Sequence, residues 1–372
     1  MTRVLAAAGV SSPGPPTPGW VAIDEGVIVE TGPGQAPTGA VDLGSVLLAP
    51  GFVDLQVNGV GDVDFASADP DGWRRAGRAQ LGQGVTTYCP TLVTAPLDEY
   101  APALERVRAA RADARNRPLP AIAGVHLEGP FLGGAPGAHP VALLRKADCE
   151  WLRGIVDAFS DLVAIVTLSP EADPGLAATR MLHERGVTVA LGHSTATYEE
   201  ARAAADAGAR LVTHLFNGMG PLHHREPGLA GAALDDDRLT PTLIADLVHV
   251  HPAALRLAIG RKPNVALVTD RIAVSGEATA DDGTPRLADG TLEGSTIAMD
   301  QAVRNVVGSG VPVERALEMG STVPARALGL ADRGRIAEGA RADLVALDPD
   351  SLAVRSVWLG GEQAVDLDGR SR

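Results

Sequence analysis

The chain has 372 residues, 45% of them apolar and only 3% aromatic, with 46 acidic against 32 basic side chains and a formal net charge of −14. That length exceeds a usual single core and favours one large domain with a small one. The acidic balance argues for no nucleic acid and no anionic membrane as partner, since both need basic surface, while a small anionic substrate stays allowed because a pocket can be basic on an acidic protein.

Residues 1–49 read as short strands, MTRVLAAAGV, GWVAIDEGVIVET and AVDLGSVLLAP, around a Pro/Gly-rich loop, SSPGPPTPG. The apolar stretch at the start is broken by Ser, Pro and Gly and lacks the length of a secretion signal. No run of about 18 apolar residues is present to span a membrane. Cys89 and Cys149 are the two cysteines, each in ordinary surroundings. They predict free thiols in a reducing compartment, hence a cytoplasmic protein.

From residue 50 the pattern changes. Strand candidates at 52–59, 85–92, 122–129, 162–170, 187–194, 209–216, 242–250 and 264–270 alternate with amphipathic stretches such as DGWRRAGRAQLGQG and YEEARAAADAGA. Eight βα repeats over about 250 residues predict an α/β fold, a (β/α)8 TIM barrel over residues 50–334. Residues 271–298, rich in Gly, Asp and Thr, read as a hairpin inserted at the mouth. Residues 335–372 return to short strands. Residues 1–49 and 335–372 therefore predict a small β-sandwich domain built from both termini.

Glu128, His193, His214, His249 and Asp270 fall at the ends of predicted strands three, five, six, seven and eight. A parallel barrel projects such residues into one shared mouth. Glu128, His193 and His214 offer a carboxylate and two imidazoles, a set suited to one Zn2+ or a similar divalent ion. Three protein ligands leave the fourth position to water, which is the hydrolytic type of site. Asp270 beside that water can take its proton and return it to a leaving amine. The other reading of Asp270 is a helix cap, but its place opposite the ligands favours catalysis. His249 and His251 alternate, so both could face one way. We read His249 as facing the mouth and His251, before Pro252, as opening the next helix. Gln56 and Asn58 alternate likewise on strand one, but amides are poor zinc ligands, so one ion per chain is expected. A rival reading is a serine hydrolase. GHSTA at 192–196 loosely resembles a nucleophile elbow, with Ser194, Asp246 and His249 in the right chain order. It would leave Glu128, His214 and Asp270 unexplained.

The motifs PGFVDLQVNG (50–59), HLEGPF (126–131), LGHSTAT (191–197), THLFNGMGPLHHREPGLAG (213–231), LVTD (267–270) and GRIAEGARADLVALD (334–348) resemble the N-acetylglucosamine-6-phosphate deacetylase family of the urease-like amidohydrolases. The resemblance implies a barrel with a β-sandwich from both termini. It implies removal of an N-acetyl group from an amino-sugar phosphate, a metal held by Glu128, His193 and His214, and Asp270 as general base and acid. It also implies that His139, in GAHP, contacts the acyl region, and that Asn217 and Gly218 offer backbone N–H groups to the phosphate. Arg225 would reach the phosphate of the neighbouring subunit in a homodimer, and His249 would contact sugar or phosphate. The Gln56/Asn58 pair is similar to the single-metal branch. Three features depart from the family. GGAPGA precedes His139 where many relatives carry Lys or Arg, Leu247 stands where relatives often have Gly, and Arg271 follows Asp270 as either an anion partner or a solvated rim charge. Other readings are a deacetylase of N-acetylgalactosamine-6-phosphate or of an N-acyl amino acid, and a non-catalytic sugar-phosphate binding protein. A mere binder would have no use for Asp270.

Overall fold

The computed structural model describes residues 2–11, 14–274 and 283–366. The first five strands are β1 (Arg3–Val10), β2 (Thr17–Asp24), β3 (Val27–Pro33), β4 (Val41–Asp42) and β5 (Leu47–Pro50). The chain then enters the barrel with β6 (Phe52–Val57), makes a small hairpin from β7 (Gly59–Val60) and β8 (Val63–Asp64), and continues through α1 (Pro70–Gly82), β9 (Val85–Val93) and α2 (Leu97–Ala114). Strand three comes in two pieces, β10 (Ala121–Ile122) and β11 (Val125–Glu128), followed by α3 (Cys149–Ala158) and β12 (Val163–Leu168). Then come α4 (Ala177–Glu184), β13 (Thr188–Leu191), α5 (Tyr198–Asp206), β14 (Ala209–Val212), α6 (Gly228–Asp235), β15 (Thr240–Ile244), α7 (Pro252–Arg261) and β16 (Ala266–Val268). Three helices, α8 (Met299–Gly308), α9 (Val313–Gly320) and α10 (Thr322–Ala327), lead back to β17 (Leu344–Leu347), β18 (Val354–Leu359) and β19 (Glu362–Asp366).

The eight predicted barrel strands pair in parallel in the order β6, β9, β10/β11, β12, β13, β14, β15, β16. The ring closes where the Asp270 N–H donates to Gln56 O (2.9 Å) and the Asn58 N–H to Arg271 O (2.7 Å). Helix starts follow their caps. Asp69 accepts the Gly72 N–H at α1, and Thr197 and Glu200 form a reciprocal capping box at α5. An interior layer takes one or two residues from most strands: Val53, Leu55, Cys89, Ile165, Ala190, Leu211, Ile244, Ala266 and Val268. Val323 and Ala325 of α10 join it, so the barrel is a packed core and not a pore. His126 of β11 is a buried polar residue beside this layer. Its Nδ1–H donates to Leu55 O (3.1 Å), and its Nε2 meets Thr167 Oγ1 (2.7 Å). Burial holds this imidazole down at about 4, hence neutral.

Strands from both termini do meet, as one eight-stranded sheet in the order β19-β18-β17-β5-β1-β2-β3, with β4 on β1. The hydrogen bonding is continuous, and the sheet closes on itself round a small core of its own where the Ile28 N–H donates to Ala340 O (2.8 Å). The alternation of β5 and β17 shows how the sheet works. Leu48, Leu344 and Ala346 face a small core with Leu5, Val21, Ile28 and Trp358. Leu47, Ala49, Val345 and Leu347 face the barrel's own core. Phe52, fully buried where sheet gives way to barrel, packs against the positions of Gly84 and Gly320. Phe52→Ala should cost about 3–5 kcal/mol, read by chemical denaturation. A loss below about 1 kcal/mol would mean that this joint carries no strain-free packing. Cys89 and Cys149 are free thiols, as expected. Among the described residues no helix is long and apolar enough to cross a membrane. Of the hairpin predicted at 271–298, residues 275–282 lie outside the described residues. The remainder carries an Arg286–Leu292 antiparallel bridge.

Candidate active site

Glu128 ends β11, and His193, His214 and Asp270 each stand two residues beyond the last residue of β13, β14 and β16. Those last three have φ of 50°, 30° and 47°. Left-handed backbone in a non-glycine residue costs of order 1–3 kcal/mol and gathers at functional sites. Here it accompanies side chains that turn into a common mouth.

Nε2 of His193 and Nε2 of His214 each lie 3.2 Å from Glu128 Oε1, and 3.1 Å from one another. Tetrahedral ligands about 2.1 Å from a metal stand about 3.4 Å apart, so the triangle has the size of a metal site. The far side of each ring fixes the tautomer. His193 Nδ1–H donates to Ala135 O (3.2 Å) and His214 Nδ1–H to Asn217 O (3.1 Å). Both Nε2 atoms are thereby aimed at the carboxylate and at each other, so a proton or a metal cation must sit between them; burial lowers His214, but its hydrogen bond to Glu128 and that charge outweigh burial and raise it to about 8. Burial pushes the Glu128 carboxyl up, but His193 and His214 outweigh it and hold it well below its ordinary value.

His139 is a fourth donor at the rim. One ligand atom each from Glu128, His139 and His193 lie within 4.8 Å of one another. The Glu128–His193–His214 triangle is the tighter of the two, its three edges all near 3.2 Å. His139 Nδ1 meets Thr94 Oγ1 (2.8 Å), and its ring stands edge-on to His193 with centroids 4.3 Å apart. Burial, then the nearby His193, lowers it to about 3, so it is neutral. With the Thr94 hydroxyl donating to Nδ1, the ring proton is on Nε2.

The strand-one amides bind carboxylates. Gln56 Nε2 donates to Glu128 Oε1 (2.9 Å) and to Asp270 Oδ1 (3.0 Å), and Asn58 Nδ2 donates to Asp270 Oδ1 (2.9 Å). A register shift between Asp54 and Val57 accompanies this placement, as a bulge does when it re-aims a side chain. Burial, then the charge of Glu128, pushes Asp270 up to about 6, which suits a proton acceptor near neutral pH.

Residues 47–365 match the amidohydrolase family model. The chain belongs to the amidohydrolase family. Membership makes it a hydrolase of amide bonds. A Bos taurus N-acetylglucosamine-6-phosphate deacetylase is 40% identical over 86% of this chain and 84% of its own. An Escherichia coli O157:H7 N-acetylgalactosamine-6-phosphate deacetylase is 38% identical over 92% and 93%. A Mycobacterium smegmatis N-acetyl-D-glucosamine-6-phosphate deacetylase was solved as an aspartate-to-alanine mutant in complex with N-acetyl-D-glucosamine-6-phosphate. It is 37% identical, covers 98% of this chain and 99% of its own, and superposes with a TM-score of 0.90.

In this amidohydrolase a cavity of about 570 Å³ opens over the triad, and Asn58, His139, Asn217, Gly218, His249 and Asp270 help line it. Gly218 has φ 56°, and a Cβ there would come 2.8 Å from His193 Nδ1, so only glycine lets the chain pass. Three sequence expectations need correction, and the serine-hydrolase rival falls away. First, β15 stops at Ile244, so His249 does not end a strand. It arrives through a turn in which Asp246 Oδ1 accepts the N–H groups of Val248 and His249 while Oδ2 takes the ring Nδ1–H at 2.6 Å. Second, the Asn217 N–H is already donated to His214 O (2.9 Å), which leaves only the Gly218 N–H of that pair for a ligand. Third, Arg271 is neither a site residue nor a solvated rim charge. It is half-buried and donates to Gln83 Oε1 (3.1 Å). The rival falls away, as the sequence favoured, because Ser194 is fully buried with its Oγ–H on Glu171 Oε2 (2.6 Å). The Asp246–His249 pair of that rival is real, but it aims His249. His251 caps α7 as expected, its Nδ1 accepting the Ala253 N–H. Arg225 stands on an exposed loop with Nη1 on His224 (2.7 Å), outside its own chain's cavity. Sequence reading missed Arg286, which does line the cavity, because a lone Arg in a Gly/Asp-rich loop reads as solvated. It missed Thr94 as well, although that residue follows strand two as the other site residues follow theirs.

Proposed function

We propose that this amidohydrolase removes the N-acetyl group of N-acetylglucosamine-6-phosphate, giving glucosamine-6-phosphate and acetate. The reading rests on the Glu128–His193–His214 triangle with Asp270 joined to it through Gln56, and on relatives that carry this activity over nearly their full lengths. One divalent ion per subunit, zinc by the borderline character of its N/O ligands, would be held by Glu128, His193 and His214. When bound, it supplies Lewis acidity toward the amide carbonyl and acidifies the attacking water. Asp270 accepts that water's proton as the new C–O bond forms and delivers it to the amine nitrogen as the C–N bond breaks. His139 donates its Nε2–H to the developing oxyanion. The Gly218 N–H and His249 hold the sugar phosphate, with Asn217 shaping that wall. The division at residues 50 and 334, a cytoplasmic setting and a homodimer in which Arg225 crosses to the neighbouring site belong to the same reading.

A second reading, N-acetylgalactosamine-6-phosphate as substrate, is favoured by the Escherichia coli relative and differs at one hydroxyl. Acetate release from a panel of N-acetyl sugars, each with and without 6-phosphate, decides between them. We expect the highest kcat/KM on N-acetylglucosamine-6-phosphate. No release from any sugar with divalent ions added would sink the deacetylase reading. Arg225→Ala should raise KM for the phosphorylated sugar far more than for its unphosphorylated form, as loss of a bidentate phosphate donor does. Mixed with Asp270→Asn chains, it should regain activity as subunits exchange. Exchange without recovery would place Arg225 in its own chain's site.

A further inference from the structure

Glu171 takes part in none of the steps above. It follows β12 in a short 3-10 turn, Pro170–Ala172, yet it reaches two loops of the mouth at once. Its Oε1 accepts the N–H of Gly134 (3.2 Å), the N–H of Thr195 (2.7 Å) and the Thr195 hydroxyl (3.4 Å). Its Oε2 accepts the Ser194 hydroxyl (2.6 Å). Ser194 and Thr195 directly follow His193, and Gly134 opens the loop that carries His139. That loop holds His193 in return. The Gly133 N–H donates to His193 O (2.8 Å), and Ala135 O takes the His193 ring proton. The fit leaves no slack. A Cβ on Gly133 would overlap the Glu171 carboxylate, and one on Gly134 would overlap Thr195. The GGAPGA segment, which departs from the family pattern, is thus shaped by its contact with Glu171.

We propose that Glu171 is a positioning residue for the metal centre. It locks the Gly133–His139 loop against the loop after β13, and so sets both the angle of the His193 ring and the place of His139. The proposal rests on the ligand set given under the proposed function. It is separable from the deacetylase activity, because ion binding can be measured with no substrate present.

The full chain is tested as Glu171→Ala, Glu171→Gln and Ser194→Ala. Zinc affinity is measured by competition with a chelator, and amide hydrogen exchange is followed at Gly134 and Thr195. Loss of a group that orients a metal ligand through its outer shell weakens metal binding about 10–100-fold, and that is the drop expected for Glu171→Ala. Exchange at both amides should quicken. Glu171→Gln keeps one oxygen for the two backbone N–H groups, and the Ser194 hydroxyl can accept from its amide, so it should restore most of the affinity. Ser194→Ala, which removes a single bond, should shift affinity the same way but less, and it carries the test if Glu171→Ala does not fold. Unchanged zinc affinity with faster exchange would reduce Glu171 to a surface tie. Unchanged exchange would show that these bonds do not hold the loops. Either result overturns the proposal. A wild-type protein that binds zinc but releases no acetate would instead overturn only the deacetylase reading.

Discussion

Asp270→Asn should keep its metal and lose about 10²–10⁴-fold in turnover, the worth of a positioned acid–base group. The hydrogen bonds explain why so small a change has so large an effect. Gln56 and Asn58 both donate to Asp270 Oδ1, so an asparagine must keep its oxygen there. Its NH2 then occupies the Oδ2 position and offers a donor where the water's proton needs an acceptor. The pH profile gives an independent reading. The ionised carboxylate is the active form, so wild-type kcat/KM should fall as pH drops through the Asp270 pKa, which burial and Glu128 place at about 6 and which a nearby dication draws lower. That acid limb should vanish in the variant. Near-normal turnover of Asp270→Asn would remove the residue from this role.

His214→Ala should abolish stoichiometric metal and with it all but a trace of activity, a loss on the order of 10³-fold or more given the several kcal/mol that a Lewis acid supplies. Chelation of the wild type should do the same, and zinc should reverse it. Because the folded state alone assembles the triangle, a thousandfold excess of zinc over its Kd should add about 4 kcal/mol of stability, seen as a higher Tm. Metal analysis should find one ion per chain. Gln56 and Asn58 present NH2 groups to the carboxylates, so the place where a second ion would sit is already taken by donors. Two equally tight ions, or full activity without metal, would defeat this assignment.

The strand-end phase of Glu128, His193, His214 and Asp270 was readable because each follows a short β-branched run that must lie in the barrel wall. The eight strands were readable for the same reason. His249 was placed in the mouth by a route that failed. LIADLVHV is apolar enough to extend a strand, and nothing in periodicity shows that Asp246 folds back on its own N–H neighbours. Glu171 was invisible because half of its partners are backbone N–H groups, which leave no mark in a side-chain pattern, and the others are two hydroxyls that read as ordinary loop residues. Arg271 misled for the opposite reason: a charge beside a candidate catalytic residue looks functional, yet its guanidinium is spent on Gln83. The terminal strands announced themselves, but whether they stack as two layers or run as one sheet depends on β5 pairing with both β1 and β17, a long-range choice.

The left-handed backbone at His193, His214 and Asp270 has an evolutionary and practical corollary. Glycine would relax any of the three, and would delete a ligand or the proton carrier in doing so. Directed evolution for heat resistance therefore meets a conflict at these three torsion angles, where selection for a more stable fold and selection for turnover point in opposite directions. Leu247, whose φ of 68° carries the same burden, offers relief without deleting any of these side chains. Leu247→Gly should raise Tm, and kcat/KM measured beside it should hold only while Asp246 still fixes the His249 turn.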